Sequence, residues 1–387
     1  MIKVGFILEG HEWLGGVNYY RNLFSAINLV KNRKIQPILF MGQKTPKSIE
    51  KQFIYTRVVR LSLLDSDSVS GIFRRVIRRL FAGNDLVVYA ILRCYQIQFL
   101  SHFSGKIPIN LKIKKIGWIP DFQYLHFPEF FSIEDRKMRV ASVNALISNS
   151  NWVILSSKEA MKDLVTSYPH ALEYSSVLSF VPEMNLENFS HNDLDNFKSK
   201  YNITGPYFYV PNQFWIHKNH EILIRALEYL KKNGMKVTIL LTGSNRDHRF
   251  PDHYEFLMGL VKDLGLREFF KPLGIVPYRD LELLMRNCVA VINPSFFEGW
   301  STTVEEAKVL NKRILLSDIP VHREQNPTKG IYFDPFNPLD LANKLIDELK
   351  DDFALKLEHN FEYKKRYLRK RIAFGLNYQK IILDLCA

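Results

Sequence analysis

Apolar and polar positions along the chain alternate between two periods, one typical of buried strands and one typical of amphipathic helices. Residues 2–8 and 36–41 are short apolar runs that predict strands. Residues 18–30 between them follow helical spacing, after a loop that ends in Gly15 and Gly16. Further runs extend the series through the first half of the chain, at 85–91, 113–119, 145–147 and 153–157. The alternation predicts a parallel α/β sheet wound by helices on both faces.

A polar stretch rich in Asn and Asp interrupts this series at 182–201 and predicts a linker followed by a short helix. A second alternation of strands and helices follows, from 207 to 333. A chain of 387 residues also exceeds the roughly 250–300 residues that one hydrophobic core supports. We therefore predict two Rossmann-like, doubly wound domains that face each other across a cleft. Their expected limits are 1–185 and 203–362, with a C-terminal helix at 365–387 that packs back onto the first domain.

Composition narrows the class of protein and its compartment. Hydrophobic residues make up 47% of the chain and charged residues 24%, which excludes a disordered protein. The three cysteines, Cys94, Cys288 and Cys386, lie far apart and show no C-x-x-C spacing, which argues against disulfide frameworks and zinc sites. The first apolar run is too short for a signal peptide, and no run reaches the roughly 20 apolar residues of a membrane span. These features predict a cytoplasmic protein, attached at most to the surface of the inner membrane.

The formal net charge of +13 predicts an anionic partner, since an excess of Lys and Arg attracts phosphates, nucleic acids and acidic lipids. Within residues 72–81, apolar residues at helical spacing are interleaved with four arginines, Arg74, Arg75, Arg78 and Arg79. Such a helix either lies on anionic lipid or packs its apolar side on the protein core, and the sequence leaves both open. The sequence contains no nucleic-acid-binding module, so we expect no nucleic-acid partner.

The most informative segment for chemistry is 294–307, which reads PSFFEGWSTTVEEA and lies between a predicted strand and a predicted helix. Loops at the carboxyl ends of parallel strands face the ligand crevice of such a sheet. Small residues at the helix start let backbone amides approach an anion. The carboxylates of Glu298 and Glu306 can accept hydrogen bonds from sugar hydroxyls.

This segment resembles the signature of the retaining GT-B glycosyltransferases of family four, the glycosyl transferases group 1. In that signature seven residues separate two glutamates, and Glu298 and Glu306 match the spacing and its flanks. The resemblance implies that Glu298 lies by the donor sugar and that Glu306 binds the nucleotide ribose. The same loop supplies further predicted donor contacts, at Gly299, Trp300, Ser301 and Thr302.

A second segment, 210–220, reads VPNQFWIHKNH and resembles the part of this family that holds the donor diphosphate through an Arg and a Lys. Lys218 falls on the Lys position, where a cation stabilises the charge that builds on the leaving diphosphate. Gln213 falls on the Arg position, which leaves the diphosphate one fixed positive charge short. Turns after two later strands resemble the family's remaining donor contacts, which implies base-side or phosphate-side roles for Gly243, Gly274 and Ile275.

In the first half of the chain the resemblance is looser. Gly15 and Gly16 match the family's glycine loop, which approaches the diphosphate and the acceptor. Residues 117–131 resemble a variant of its central loop, with Tyr124 where many relatives carry a histidine near the reacting sugar. We predict acceptor-side catalytic roles for Asp121 and His126 in this loop.

Other ligand classes are less well supported. Residues 10–16 lack the G-x-G-x-x-G order of dinucleotide-binding enzymes. Two D-x-D spacings, at 65–67 and 193–195, lack a flanking strand, so we predict solvated turns there and no metal site.

The resemblance implies a retaining, metal-independent hexosyltransferase whose donor is a nucleotide diphosphate sugar, with UDP or GDP as the leaving group, and which needs no other cofactor. The implied acceptor is a glycan or a lipid-linked glycan, in the synthesis of bacterial capsule, O-antigen or lipopolysaccharide. Two alternatives stay open. One is a catalytically weak GT-B subunit that only binds its ligands, which Gln213 favours, and the other is a nucleotide-sugar epimerase.

Overall fold

The computed structural model of this protein describes residues 1–8, 14–107, 112–184, 189–350 and 361–386. The chain divides into two compact units. The first comprises Met1–Pro128, Ser132–Glu183 and Tyr367–Ala387, and the second comprises Glu129–Phe131 and Met184–Arg366. Each unit is organised around its own parallel sheet.

The described strands of the first unit form a seven-stranded sheet. Their bounds are β1 (Ile2–Leu8), β2 (Ile35–Gly42), β3 (Arg57–Leu61), β4 (Phe99–Ser101), β5 (Lys114–Ile119), β6 (Trp152–Leu155) and β7 (Ser175–Val177). Their order is β3-β2-β1-β4-β5-β6-β7, and every neighbouring pair is parallel. In the centre of the sheet Phe6 pairs with Leu39 on one side and Ser101 on the other. The inner strands are apolar at nearly every position because helices cover both faces.

The first unit contains seven α-helices among its described residues before the second unit begins. They are α1 (Leu14–Asn28), α2 (Lys47–Glu50), α3 (Val69–Leu80), α4 (Leu86–Cys94), α5 (Gln123–His126), α6 (Ile133–Ser148) and α7 (Lys158–Ser167). Short 3-10 helices occupy Ser62–Leu64, Pro128–Phe130 and Pro169–Tyr174.

Three local predictions for this unit were wrong. Residues 85–91 and 145–147, predicted as strands, lie in α4 and α6, because a short apolar run has the same composition in a buried strand and in a buried stretch of helix. Asp85 starts α4 by accepting a hydrogen bond from the backbone N of Val88 at 3.1 Å. Gly15 and Gly16, predicted in a loop, lie in the first turn of α1.

One of the two interpretations of 72–81 required helix α3 to pack its apolar side on the core. The structure does not show this packing. Five of its large apolar side chains are 48% to 86% exposed, at Val69, Ile72, Phe73, Val76 and Leu80, and Ile77 is partly buried. Arg74, predicted on the solvated basic side, is instead buried and donates from Nε to Asp85 Oδ2 at 2.6 Å. Arg78 and Arg79 are exposed beside the apolar stripe. No helix in the described part of the chain combines the length and the apolarity needed to cross a membrane.

The described strands of the second unit form a six-stranded sheet. Their bounds are β8 (Phe208–Val210), β9 (Ile239–Leu241), β10 (Phe270–Pro272), β11 (Val291–Asn293), β12 (Ile314–Ser317) and β13 (Gly330–Phe333). Their order is β10-β9-β8-β11-β12-β13, again parallel throughout. The order reverses between β8 and β11, so the loops that leave these two strands flank the topological switch point where ligands of such sheets bind.

Helices cover both faces of this second sheet. They are α8 (His191–Lys200), α9 (His220–Lys232), α10 (His253–Asp263), α11 (Tyr278–Asn287), α12 (Thr302–Val309), α13 (Pro320–Gln325) and α14 (Pro338–Lys350), with a 3-10 turn at Ile216–Lys218. On one face α9, α10 and α14 contribute to a core that includes Leu223, Leu257 and Leu345. On the other face α11 and α12 contribute Leu284 and Val304 to a second core.

The final helix, α15 (Phe361–Asp384), belongs to the first unit from Tyr367 onward. Phe374 and Tyr378 are buried, and the ring of Tyr378 lies 6.1 Å from that of Phe6 in β1. Gly375 allows a close approach to α1, since a Cβ at this position would lie 2.4 Å from the carbonyl oxygen of Ala26. The helix therefore completes the core of the first unit.

Candidate functional site

An ion pair joins the loops that follow β8 and β11. Lys218 ends the 3-10 turn, and its Nζ lies 2.7 Å from Oε1 of Glu298. The two side chains are only 13% and 10% exposed. A charge-assisted hydrogen bond at this distance in a nearly buried setting fixes both groups. The structure thus brings together two of the residues that the sequence singled out.

A shell of neutral polar side chains holds Glu298 in place. Ser295 Oγ donates to Glu298 Oε1 at 2.8 Å, and Asn293 Nδ2 lies 3.3 Å from the same oxygen. Asn293 in turn accepts from Asn212 Nδ2 at 3.1 Å, which links the ends of β8 and β11. Sequence reasoning assigned no role to these three residues, although buried polar side chains directly after strands are a usable signal.

The charge state of Glu298 follows from two opposing effects. Burial raises the pKa of this carboxyl, but the positive charge of Lys218 and the hydrogen bonds from Lys218 and Ser295 outweigh it, so the pKa is lowered below the usual 4.5. Glu298 is therefore a carboxylate at neutral pH. It can accept a hydrogen bond from a ligand hydroxyl.

His322, on α13, is a buried neighbour that sequence reasoning missed. Its Nδ1 lies 2.8 Å from the carbonyl oxygen of Ser317, which makes Nδ1–H the donor and leaves Nε2 as an acceptor. Burial lowers the pKa of His322 to about 4, although the nearby charge of Glu298 raises it in part. The imidazole is thus neutral at pH 7. A lone histidine in a helical turn carries no spacing signal, so sequence patterns alone could not select it.

The loop that carries Glu298 leads directly into α12. Gly299 and Trp300 are partly exposed, Ser301 is buried, and Thr302 opens the helix. Ser301 Oγ accepts from the backbone N of Val304 at 3.4 Å, and Gln325 Nε2 donates to the carbonyl oxygen of Ser301 at 2.9 Å. The positive end of the α12 dipole therefore lies next to the ion pair.

The two adjacent glutamates of α12 have different surroundings. Glu305 is paired with Lys308 at 2.6 Å and accepts from Gln325 at 3.1 Å, so it stabilises the fold. Glu306 is 7% exposed and lies near Tyr209 in β8. Burial raises the pKa of Tyr209, and the negative charge of Glu306 raises that pKa further. Of the pair, Glu306 is thus the one whose charge acts on β8.

Gln213 and Gly243 connect the loops after β8, β9 and β10. Gln213 Oε1 accepts from the backbone N of Ser244 at 2.8 Å, and the backbone N of Gly243 donates to the carbonyl oxygen of Gly274 at 2.9 Å. Gly243 has φ of 148°, and a Cβ there would lie 2.4 Å from the carbonyl oxygen of Asn212. Ile275, beside Gly274, is largely exposed. Hydrogen bonds thus connect the loops that carry Gln213, Gly243 and Gly274.

The predicted residues of the first unit have their own partners. Gly15 is exposed and Gly16 buried at the start of α1. Asp121 lies just before α5, and its Oδ1 accepts from the backbone N of Gln123, the first residue of that helix, at 3.0 Å. At the other end of this helix, His126 Nε2 lies 2.9 Å from both carboxylate oxygens of Asp163. Sequence reasoning did not name Asp163, which is 37 residues away in the chain.

Comparisons with known proteins agree with this architecture. A family described as "Glycosyl transferases group 1" matches residues 192–367. The O-antigen chain mannosyltransferase RfbU of Salmonella typhimurium is 29% identical over 147 residues, which are 38% of this chain and 39% of RfbU. The uncharacterized glycosyltransferase MJ1607 of Methanocaldococcus jannaschii is 21% identical over 380 residues, covering 92% of this chain and 81% of MJ1607.

Among solved structures, the crystal structure of Anabaena Alr3699/HepE in complex with UDP and glucose superimposes with a TM-score of 0.72 at 17% identity, covering 99% of both chains. This likeness confirms the predicted fold class of two parallel α/β sheets. The chain has the GT-B fold, and its residues 192–367 match the family described as glycosyl transferases group 1.

Proposed function

We propose that this protein is a retaining glycosyltransferase that moves a hexose from a nucleotide diphosphate sugar to a glycan or lipid-linked glycan. The observation that carries the proposal is the contact between Lys218 and Glu298. These residues come from two separate segments that resemble the family, and they meet at the switch point of a sheet within the matched region. A cation and a carboxylate side by side suit a ligand that carries both a diphosphate and a sugar.

In the proposed reaction each group has one task. Lys218 donates to a phosphate oxygen and balances the negative charge that builds as the bond from the anomeric carbon to the diphosphate breaks. Glu298 accepts a hydrogen bond from a hydroxyl of the sugar, and Glu306 accepts one from the ribose. The amides at the start of α12 add a positive potential. The acceptor oxygen bonds to the anomeric carbon from the side that the diphosphate leaves, and a phosphate oxygen takes its proton, which retains the configuration.

The relatives support a donor and an acceptor class. HepE was crystallised with UDP and glucose, and RfbU is an O-antigen chain mannosyltransferase. We infer that this chain uses a UDP- or GDP-hexose without a metal ion, in the synthesis of a bacterial surface polysaccharide. In the first unit, Asp121 and His126 are proposed to contact the acceptor, with Asp163 orienting the His126 ring.

The test is a mass-spectrometric screen of UDP-, GDP- and other activated sugars, with glycan acceptors added, for release of the nucleoside diphosphate. We expect turnover with one donor class, and a loss of at least about 100-fold in Glu298→Gln and Lys218→Met. Glu221→Gln, an exposed glutamate on α9, is the matched control and should keep the parent's rate. NMR of the product reports the anomeric configuration.

Three results would contradict the proposal in different ways. Binding of a nucleotide sugar without turnover would support the binding-subunit alternative. An isomerised sugar formed without acceptor would support an epimerase. A product of inverted configuration would overturn the retaining mechanism alone.

We further propose that the exposed stripe of α3, consisting of Val69, Ile72, Phe73, Val76 and Leu80, docks the protein on an anionic membrane surface at the cytoplasmic face of the inner membrane. In this position the apolar side chains would be buried at the boundary of the lipid acyl chains, and Arg78 and Arg79 would pair with the anionic headgroups. Arg74 is excluded from this role because Asp85 holds it inside the protein.

Flotation with liposomes tests the docking. The parent is expected to float with vesicles rich in phosphatidylglycerol and to stay unbound with phosphatidylcholine alone. Arg78→Glu/Arg79→Glu should reduce binding by at least about 30-fold, at roughly 1 kcal/mol per basic residue. The control, Lys232→Glu/Lys262→Glu, makes the same charge change in the second unit. A parent that does not float, or a variant that floats as well as the parent, would end the membrane proposal.

A further inference from the structure

The paired side chains of Lys218 and Glu298 contribute little net positive charge to the proposed donor site. Lys218 is balanced by Glu298 at 2.7 Å. Gln213 is neutral, and its side-chain oxygen is committed to the backbone N of Ser244. A nucleoside diphosphate brings at least two negative charges, and burying such charge without counter-charge is unfavourable. A second cation close to Lys218 is therefore needed.

Arg249, in the loop between β9 and α10, lies close to the Lys218 segment. Its Nη2 lies 3.3 Å from Nδ1 of His217, the residue directly before Lys218. The carbonyl oxygen of His217 accepts from the backbone N of Phe296 at 2.9 Å, in the loop that carries Glu298. The ring and the backbone of His217 thus connect the loops of Arg249, Lys218 and Glu298.

The surrounding contacts hold the Arg249 loop against the Lys218 loop. Asp247 Oδ1 accepts from the backbone N of Arg249 at 3.0 Å, and Asp247 Oδ2 accepts from the backbone N of Ile216 at 3.2 Å. Trp215 Nε1 donates to the carbonyl oxygen of Arg246 at 3.2 Å. Two of these hydrogen bonds join the loops, and the one between Asp247 and Arg249 lies within the Arg249 loop, so together they fix the backbone from which the Arg249 side chain starts.

Electrostatics agree with this placement. Burial lowers the pKa of His217, and the positive charges of Lys218 and Arg249 lower it further, so both cations act on the same imidazole. The ring is neutral and its Nδ1 accepts from the guanidinium. The carboxylate of Asp247 lies 3.7 Å from Arg249 Nε, a longer ion pair than that of Lys218 with Glu298.

We propose that Arg249 supplies the second positive charge to the donor diphosphate, in the place that Gln213 leaves without one. The inference rests on the proposed function, since it concerns the same donor. A guanidinium donates through several N–H groups and suits phosphate oxygens. The side chain of Arg249 is only 9% exposed, and its guanidinium lies 4.8 Å from the centre of the Phe131 ring, so these contacts hold it beside the Lys218 segment.

Isothermal titration with UDP and GDP tests the proposal, with uridine and guanosine followed by ligand-observed NMR as phosphate-free probes. Arg249→Gln should weaken the binding of the diphosphate that the parent prefers by about 10- to 100-fold. The affinity for the matching nucleoside should stay unchanged. Arg246→Gln removes an exposed guanidinium from the same loop and is the matched control, expected within about 2-fold of the parent.

The possible results distinguish a wrong role for Arg249 from a wrong donor for the protein. If the Arg249→Gln variant binds the diphosphate as tightly as the parent, the inference is overturned. An equal loss of affinity for the nucleoside and the diphosphate also overturns it, because that result indicates a structural role for Arg249. A parent that binds neither UDP nor GDP refutes the proposed donor itself. Should Arg249→Gln fail to fold, Arg249→Met takes its place, because its side chain fills a similar buried volume, and the same results decide.

Discussion

The ion pair of Lys218 and Glu298 leads to a quantitative prediction about stability without any donor. Its two atoms lie 2.7 Å apart and its side chains are nearly buried. At an effective dielectric constant of about 20, unit charges at this distance attract by roughly 6 kcal/mol, most of which offsets the removal of both charges from water. Losing one partner leaves the other charge buried without that compensation.

We expect Lys218→Met to lower the free energy of unfolding by about 3 kcal/mol, because Glu298 then keeps only its contacts with Ser295 and Asn293. Glu298→Gln should cost less, about 1–2 kcal/mol, because the flexible stem of lysine lets its ammonium move toward water. The double variant removes both charges and should also cost about 1–2 kcal/mol. The coupling energy is then about 3 kcal/mol.

Urea unfolding of the four proteins at neutral pH gives this double-mutant cycle. The control is the pair of Lys232 and Glu228 on α9, whose lysine side chain is 72% exposed and whose coupling should stay below about 0.5 kcal/mol. A coupling between Lys218 and Glu298 no larger than that of the control would refute the reasoning, because it would mean that water screens the pair.

The same variants respond to pH in a defined direction. In the parent, the lowered pKa of Glu298 stabilises the protein above the usual value of 4.5, and this contribution is lost as pH falls through the lowered pKa. In Lys218→Met the effect of burial is no longer outweighed by the lysine charge, so the pKa of Glu298 rises and protonation relieves the buried charge. The stability deficit of Lys218→Met should therefore shrink as pH falls toward about 4.5.

Two further predictions concern groups away from the ion pair. Arg74→Met should lower the free energy of unfolding by about 3 kcal/mol, since it leaves the buried Asp85 carboxylate without its partner, whereas the exposed Arg79→Met should change it by less than about 0.5 kcal/mol in the same urea assay. Burial lowers the pKa of the fully buried His220 to about 3, so the stability it contributes falls as pH drops from the usual 6.5 toward that value. His220→Gln should make the loss of stability between about pH 6 and pH 4 shallower by about 1.4 kcal/mol per pH unit, and an unchanged slope would contradict a neutral buried imidazole.

The sequence predicted two parallel α/β sheets because strongly periodic segments and their order carry that information, and the resemblance of its motifs to one family implied the GT-B fold. It also selected Lys218 and Glu298, which lie in segments that resemble one family, and the structure places their side chains in contact. The roles of these residues, and those of Glu306, Asp121 and His126, stay predictions.

What the sequence could not show depends on contacts between distant positions. Strand β4 has only three residues, too few to display a period, whereas the apolar residues of α4 resemble a strand until Asp85 is seen to cap them. The apolar stripe of α3 has the same pattern whether it faces a core or a solvent boundary. Only the structure shows that Arg74 turns inward to Asp85. Likewise, His322 and Arg249 gain their surroundings from loops far away in the chain.

The position of α15 has a consequence for how the protein folds as it is synthesised. Phe374 and Tyr378 fill the interior of the first unit, yet the ribosome makes all of Met184–Arg366 before it reaches them. A nascent chain that has emerged as far as Arg366 already holds every strand of the second sheet, while Phe6 and Tyr19 still lack the rings that cover them. The unit made first is thus completed last, and until α15 emerges it presents an open apolar surface to chaperones.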